Sequence, residues 1–174
     1  MNNKFMKRKN PRLKGYNYSL PNAYFITICT HKRENILSTI VGAIHESPEI
    51  KLTSQGKIVN NFINNLPQHI NAKIDHYVIM PNHIHLIIVV NNGRAIHESP
   101  LQSRSVVSKA VGYIKMNSSK EIHKHFGDIT VWQRGFHDHI IRNKNDYDKI
   151  AKYISENPLR WELDCFFNQD LKTD

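Results

Sequence analysis

Between Ala72 and Val90 the chain carries two strand-like runs in quick succession, and this segment limits the fold most tightly. Ala72–Met80 supplies Ile74, Tyr77, Val78 and Ile79, and His83–Val90 follows across Pro81-Asn82. Asn91-Asn92-Gly93 then marks a turn. Alternation puts His83, His85, Ile87 and Val89 on one face of the second strand and Ile84, Leu86, Ile88 and Val90 on the other. A strand apolar on both faces is covered on both. Two imidazoles on a covered face need partners.

The flanking segments supply the layers. Tyr24–Thr30 is β-branched and aromatic and reads as a strand. A helix is expected from about Leu52 to Leu66, capped by Thr53 or Ser54, with Ile58, Val59, Phe62 and Ile63 as its stripe and Pro67 as its stop. A second helix covers Val106–Phe126, with Val107, Ala110, Val111 and Ile114 at helical spacing. A short strand lies around Phe136–Arg142, and a last helix covers about Asp146–Glu156, closed by Asn157-Pro158. The order strand, helix, two strands, helix, strand, helix indicates an α+β fold, one sheet with helices packed on it. At 174 residues the chain reads as one domain at 21–174 behind an arm at 1–20.

The arm is basic. Lys4, Lys7, Arg8, Lys9, Arg12 and Lys14 fall within it with no acidic residue among them, and they supply most of the net charge of +9. Such an arm suits a polyanion, nucleic acid first. Tyr16 and Tyr18 beside it either stack on bases or pin the arm to the domain. Cys29 and Cys165 are too few for a disulfide framework and too far apart for a thiolate zinc site. The longest apolar run, Leu86–Val90, is too short to span a bilayer, and the start lacks a signal core. These features place the protein in the cytoplasm, associated with the nucleoid. The hexapeptide Ala43–Pro48 recurs as Ala95–Pro100, and the unmatched flanks identify two loop insertions rather than a repeat fold or a paired metal site.

Three His-x-His triplets invite a metal reading: His83/His85, His123/His125 and His137/His139. His123 and His125 lie in a helix, where i and i+2 diverge. His83 and His85 share a strand face, so they form either a hydrogen-bonded pair or a divalent-metal site completed by a carboxylate, an amide or water. His137 and His139 also share a face, where they orient a phosphate, support the first pair or form polar surface. On the last helix Tyr153 and Asn157 are four apart and share a face, so a metal held by the histidines would lie within reach of both. Spacing alone does not choose Tyr153 over Tyr147.

Three stretches carry a family resemblance. Tyr77–Leu86, Trp132–Arg142 and Tyr153–Pro158 resemble, in order and spacing, the signatures of the IS200-like tyrosine transposases, closest to the REP-associated branch. The resemblance implies a ferredoxin-like (RRM-like) antiparallel sheet of the HUH endonuclease type. It implies Mg²⁺ or Mn²⁺ held by His83, His85 and Asn157, with Tyr153 as nucleophile. The implied activity is DNA transposition and recombination, through cleavage of single-stranded DNA at hairpin-forming repeats and a 5′-phosphotyrosine intermediate. Lys7, Arg8, Lys9, Arg12, Lys14, Arg134 and Arg142 are the expected DNA contacts, with His137 and His139 in support. Insertion-sequence relatives carry glutamine where Asn157 stands and form dimers, whereas the repeat-associated branch acts as a monomer, so a homodimer stays open. Two other readings compete: a non-catalytic DNA-binding descendant, and a metal-dependent phosphodiester hydrolase with no covalent intermediate.

Overall fold

Alternating apolar residues on a central strand require a layer on each side, and the computed structural model supplies both. It describes residues 16–42, 48–91 and 104–167. Lys7, Arg8, Lys9, Arg12, Lys14 and the repeated hexapeptide, apart from Pro48, lie outside these. Strand β1 (Asn22–Cys29) is followed by β2 (Ser38–Val41), β3 (Glu49–Leu52) and helix α1 (Ser54–Asn65). Then come β4 (Ala72–Ile79), β5 (His83–Val90), α2 (Val106–Phe126), β6 (His137–Ile141) and α3 (Lys144–Glu156). The main sheet has the order β4-β5-β1-β6, and every pairing in it is antiparallel. Together with α1 and α2 it forms the βαββαβ arrangement of a ferredoxin-like fold.

Each face of β5 packs into its own core. Ile84, Leu86, Ile88 and Val90 join Tyr24, Ile26 and Ile28 of β1 beneath α1 and α2, which contribute Val59, Ile63, Val107, Ala110, Val111 and Ile114. On the other face Ile87 meets Val78, Ile141 and Ile154 of α3. Each fully buried aliphatic side chain stabilises the fold by roughly 1.5–3 kcal/mol. Tyr18 is buried and its ring lies 5.7 Å from Tyr24 and 5.0 Å from Tyr16, so both tyrosines of the N-terminal segment lie against the domain.

One feature differs from the sequence expectations. β2 and β3 form a separate two-stranded sheet. Each has four residues, too few for alternation to register. The two prolines end the α-helices as expected, α1 at Asn65 and α3 at Glu156, and the chain goes on in a tighter turn. Pro67 and Pro158 each sit in the first turn of a 3₁₀ segment, Leu66–Gln68 and Asn157–Leu163, where a missing N–H costs nothing.

Two helical glycines make opposite predictions. Thr53 caps α1 by accepting from the Gly56 amide at 3.0 Å, and it donates to Ile36 O at 2.6 Å. This draws α1 so close to Leu37 that a Cβ on Gly56 would stand 1.8 Å from the Leu37 carbonyl oxygen. Gly112, inside α2, has nothing within 4 Å of an added Cβ. Gly56→Ala is therefore expected to cost about 3 kcal/mol in urea unfolding, and Gly112→Ala to stabilise by about 1 kcal/mol. Equal effects of the two substitutions would contradict this packing.

Candidate active site

The two imidazoles of β5 are buried on the α3 face. His83 is 0% and His85 2% exposed. Asn82, also fully buried, fixes the first of them: its Oδ1 lies 2.9 Å from His83 Nδ1. An amide oxygen only accepts, so His83 carries its proton on Nδ1 and leaves the Nε2 lone pair free. Thr27 Oγ1, on β1, lies 2.8 Å from His85 Nδ1 and orients that ring, a hydroxyl being able to donate or accept. The two Nε2 atoms stand 3.1 Å apart. Burial, reinforced by its neighbour His85, pushes His83 down to about 2, and burial pushes His85 down to about 4 against the pull of Asp164. Both rings are neutral at pH 7.

The helix and turn that follow β6 bring three more groups to the pair. Tyr153, on α3, places its Oη 3.3 Å from His85 Nε2, with its ring edge-on to Phe25 at 6.0 Å. Burial and then the Asp164 carboxylate push its phenol up to about 12, so it keeps its proton while no cation is near. The 3₁₀ segment after α3 turns the chain back and sets Asp164 beside the phenol, 3.5 Å from Oη. Asp164 also accepts from Asn157 Nδ2 at 2.9 Å and from the Phe166 amide at 2.8 Å. Asn157 is buried, and its Oδ1 has no hydrogen-bond partner among the described residues. An orphaned buried acceptor costs about 1–3 kcal/mol unless something completes it.

Residues 164–166 also roof the site. The Phe166 ring lies 4.6 Å from His83 and 6.2 Å from His85, and Asn82 Nδ2 donates to Phe166 O at 2.7 Å. Arg33 reaches across from the turn after β1, donating to Cys165 O at 3.0 Å with its guanidinium 4.8 Å from the Phe166 centroid. Lys32 and Arg33 take φ of 50° and 60° to make that turn, a conformation L-residues resist.

These groups fit a divalent cation. His83, His85 and Asp164 offer ligand atoms that all lie within 4.8 Å of one another. Adjacent ligands of an octahedral ion with bonds of about 2.1 Å stand about 3 Å apart, and the Nε2 pair meets that spacing. Both rings are held through Nδ1, the outer contact that ligating histidines use. Asn157 Oδ1 is a free acceptor at the same place.

Of the sequence candidates, His83, His85, Tyr153 and Asn157 come together. Tyr147 does not: its hydroxyl donates to Asp75 on β4, away from the imidazoles. His139 pairs with Asp146 at 3.0 Å, on α3, whereas His137 is exposed on β6 opposite Thr27. Arg134 and Arg142 are exposed near the same edge. His123 bonds Ile129 O and His125 faces Glu121, so that triplet does not converge. Sequence reasoning misses Asp164 and Asn82 as site residues. Asp164 has no motif around it and arrives only because the chain doubles back, and Asn82 reads in sequence as a turn residue.

The comparisons with known proteins agree with this geometry. The profile of the family described as "Transposase IS200 like" matches residues 19–157. An uncharacterised protein of Haemophilus influenzae is 34% identical over 172 residues, covering 92% of this chain and 93% of its own. A solved structure of a REP-associated tyrosine transposase bound to a REP hairpin superposes with a TM-score of 0.60 at 21% identity, covering 86% of this chain and 73% of that one. That last likeness is one of fold. The family match spans most of the chain, and the protein belongs to the IS200-like transposase family.

Proposed function

We propose that this protein cleaves and rejoins single-stranded DNA at hairpin-forming repeats, with Tyr153 as nucleophile, as in the REP-associated branch. The convergence of two neutral imidazoles, a carboxylate and a tyrosine hydroxyl on one sheet face carries this reading. His83 and His85, with Asp164 and the free Oδ1 of Asn157, are the ligands for Mg²⁺ or Mn²⁺. When bound, the ion supplies polarisation of a phosphodiester and offsets charge as the phenol ionises.

Each residue then has a task. Burial keeps His83 and His85 neutral, so neither has to lose a net charge to offer a ring-nitrogen lone pair, and His83, protonated on Nδ1, offers Nε2. Phe25 and His85 hold the Tyr153 ring so that Oη faces the ligand cluster. Oη attacks phosphorus and the bond to the 3′-oxygen breaks, leaving the 5′ end on the tyrosine. The phenolic proton passes to Asp164 Oδ2, 3.5 Å from Oη, and the carboxyl so formed gives it to the departing 3′-oxygen, which leaves as a hydroxyl. Attack by another strand's 3′-hydroxyl reverses the step and joins new ends. Lys7, Arg8, Lys9, Arg12 and Lys14 of the arm, with Arg134 and Arg142, supply phosphate contacts.

The test is a labelled hairpin oligonucleotide with single-stranded flanks, incubated with the protein and Mn²⁺ and run on a denaturing gel. A protein–DNA adduct is expected, and Tyr153→Phe should reduce it at least about 10³-fold while leaving hairpin binding intact. Free fragments without an adduct would favour a hydrolase, uncut DNA a binding protein, and either result would overturn the proposal. Asp164→Ala should weaken Mn²⁺ binding by roughly 10–100-fold, measured by calorimetry. Unchanged affinity would remove Asp164 from the ligand set.

A further inference from the structure

The hexapeptide at Ala43–Pro48 returns at Ala95–Pro100 without a single change, yet its two settings are unlike. The first copy falls between Val41 and Glu49, the last paired residues of β2 and β3. The second falls in the connection from β5, which ends at Val90, to α2, which begins at Val106. The neighbours differ on both sides, Gly42 and Glu49 against Arg94 and Leu101. Thr27, His83, His85, Tyr153, Asn157 and Asp164 all come from other segments, so the reacting cluster uses neither copy. One peptide kept identical in two unlike places has no common packing or chemical task to explain it. Connections between elements absorb added residues at little cost, so the identity is better sought in the DNA that encodes them.

The genetic code makes that DNA an inverted repeat. Folded about the His codon, the coding strand sets first bases against first bases. The G of Ala meets the C of Pro, the A of Ile meets the T of a TCN serine codon, and the C of His meets the G of Glu. The amino acids fix these pairs, and all are complementary. Each remaining pair sets a fixed second base against a third base that the code leaves open, and every one can match. Ala takes GCG against TCG for Ser, Ile takes ATT against GAA for Glu, and His closes on itself as CAT. The codons before the two copies, for Gly42 and Arg94, both carry G as second base and both allow G as third. Both copies can therefore be written 5′-GGGCGATTCATGAATCGCCC-3′. As a single strand it folds into a hairpin with stem GGGCGATT on AATCGCCC and loop CATG, held closed by stacking.

We propose that the hexapeptide is the translated form of the hairpin element on which this enzyme acts, so that its own gene carries two copies of its target. The peptides themselves take no part in the chemistry. This rests on the reading of the protein as a hairpin-cleaving enzyme, and its test compares hairpins with one another, so the two can fail separately.

The native gene is read first. Codons that complete the inverted repeat are expected at 43–48 and at 95–100, and codons that break its pairing in either copy would overturn the proposal. The full chain carrying Tyr153→Phe is then titrated against two hairpins with the same single-stranded flanks. One has the stem above, and the other has a stem of the same composition in shuffled order. The first should bind at least about tenfold more tightly, and equal affinities would overturn the proposal. With Mn²⁺ and the unsubstituted protein, the adduct should form mainly on the first hairpin. Equal adduct on both would overturn this assignment and leave the nuclease reading standing, whereas no adduct on either would overturn that reading and leave the binding comparison to decide this one. Replacing both hexapeptides by Gly-Ser segments of equal length should keep adduct yield within about twofold. Loss of the adduct, or of cooperative thermal unfolding, would give the peptides a task in the protein and contradict their origin as translated DNA.

Discussion

Everything in the proposed site depends on burying two neutral imidazoles side by side on the central strand of a sheet. Burial removes their protons, and it would leave four ring nitrogens to be satisfied without water. Asn82 and Thr27 take the two Nδ1 atoms, which leaves the Nε2 atoms 3.1 Å apart and facing the same space. The rest of the fold follows from keeping that space closed and polar on one side. β1 must sit beside β5 to bring Thr27 opposite His85, and α3 must cross the sheet to cover the remaining apolar residues of that face.

The chain closes the site with its own later residues. One 3₁₀ segment carries Asp164 back to Tyr153 and Asn157, and Phe166 lies against His83. Arg33 and Asn82 hold this return by hydrogen bonds to backbone carbonyls at Cys165 and Phe166. Asn82 therefore joins two tasks, setting the tautomer of His83 and anchoring the roof above it. Loss of either function would expose the imidazoles to water and raise their affinity for protons.

Much of this arrangement is legible in the amino-acid sequence. β5 and α2 begin and end where the sequence puts them, at His83–Val90 and Val106–Phe126, because β5 is an unbroken apolar run between Pro81-Asn82 and a turn, and α2 is a long stretch with its early apolar residues at helical spacing. The pairing of His83 with His85 follows from strand geometry, and Tyr153 with Asn157 from helix geometry. Spacing does not decide between Tyr153 and Tyr147. They lie six residues apart on α3 and point in different directions, and only the placement of that helix on the sheet sends Tyr147 to Asp75 and Tyr153 to His85. Asp164 escapes sequence reasoning for a related reason. A carboxylate near the end of a chain enters a site through a chain reversal, and no local pattern encodes its destination. The β2–β3 sheet escapes it because four-residue strands carry almost no periodicity.

The central claim, that His83 and His85 form a preorganised metal site, is tested most directly by NMR of their imidazole groups during a Mn²⁺ titration. The account predicts selective paramagnetic loss of the His83 and His85 ring signals at substoichiometric ion. Exposed His125, on α2 across the opposite face of the sheet, should be broadened least. Uniform broadening of all histidines, or loss at exposed histidines while the buried pair stays sharp, would contradict it.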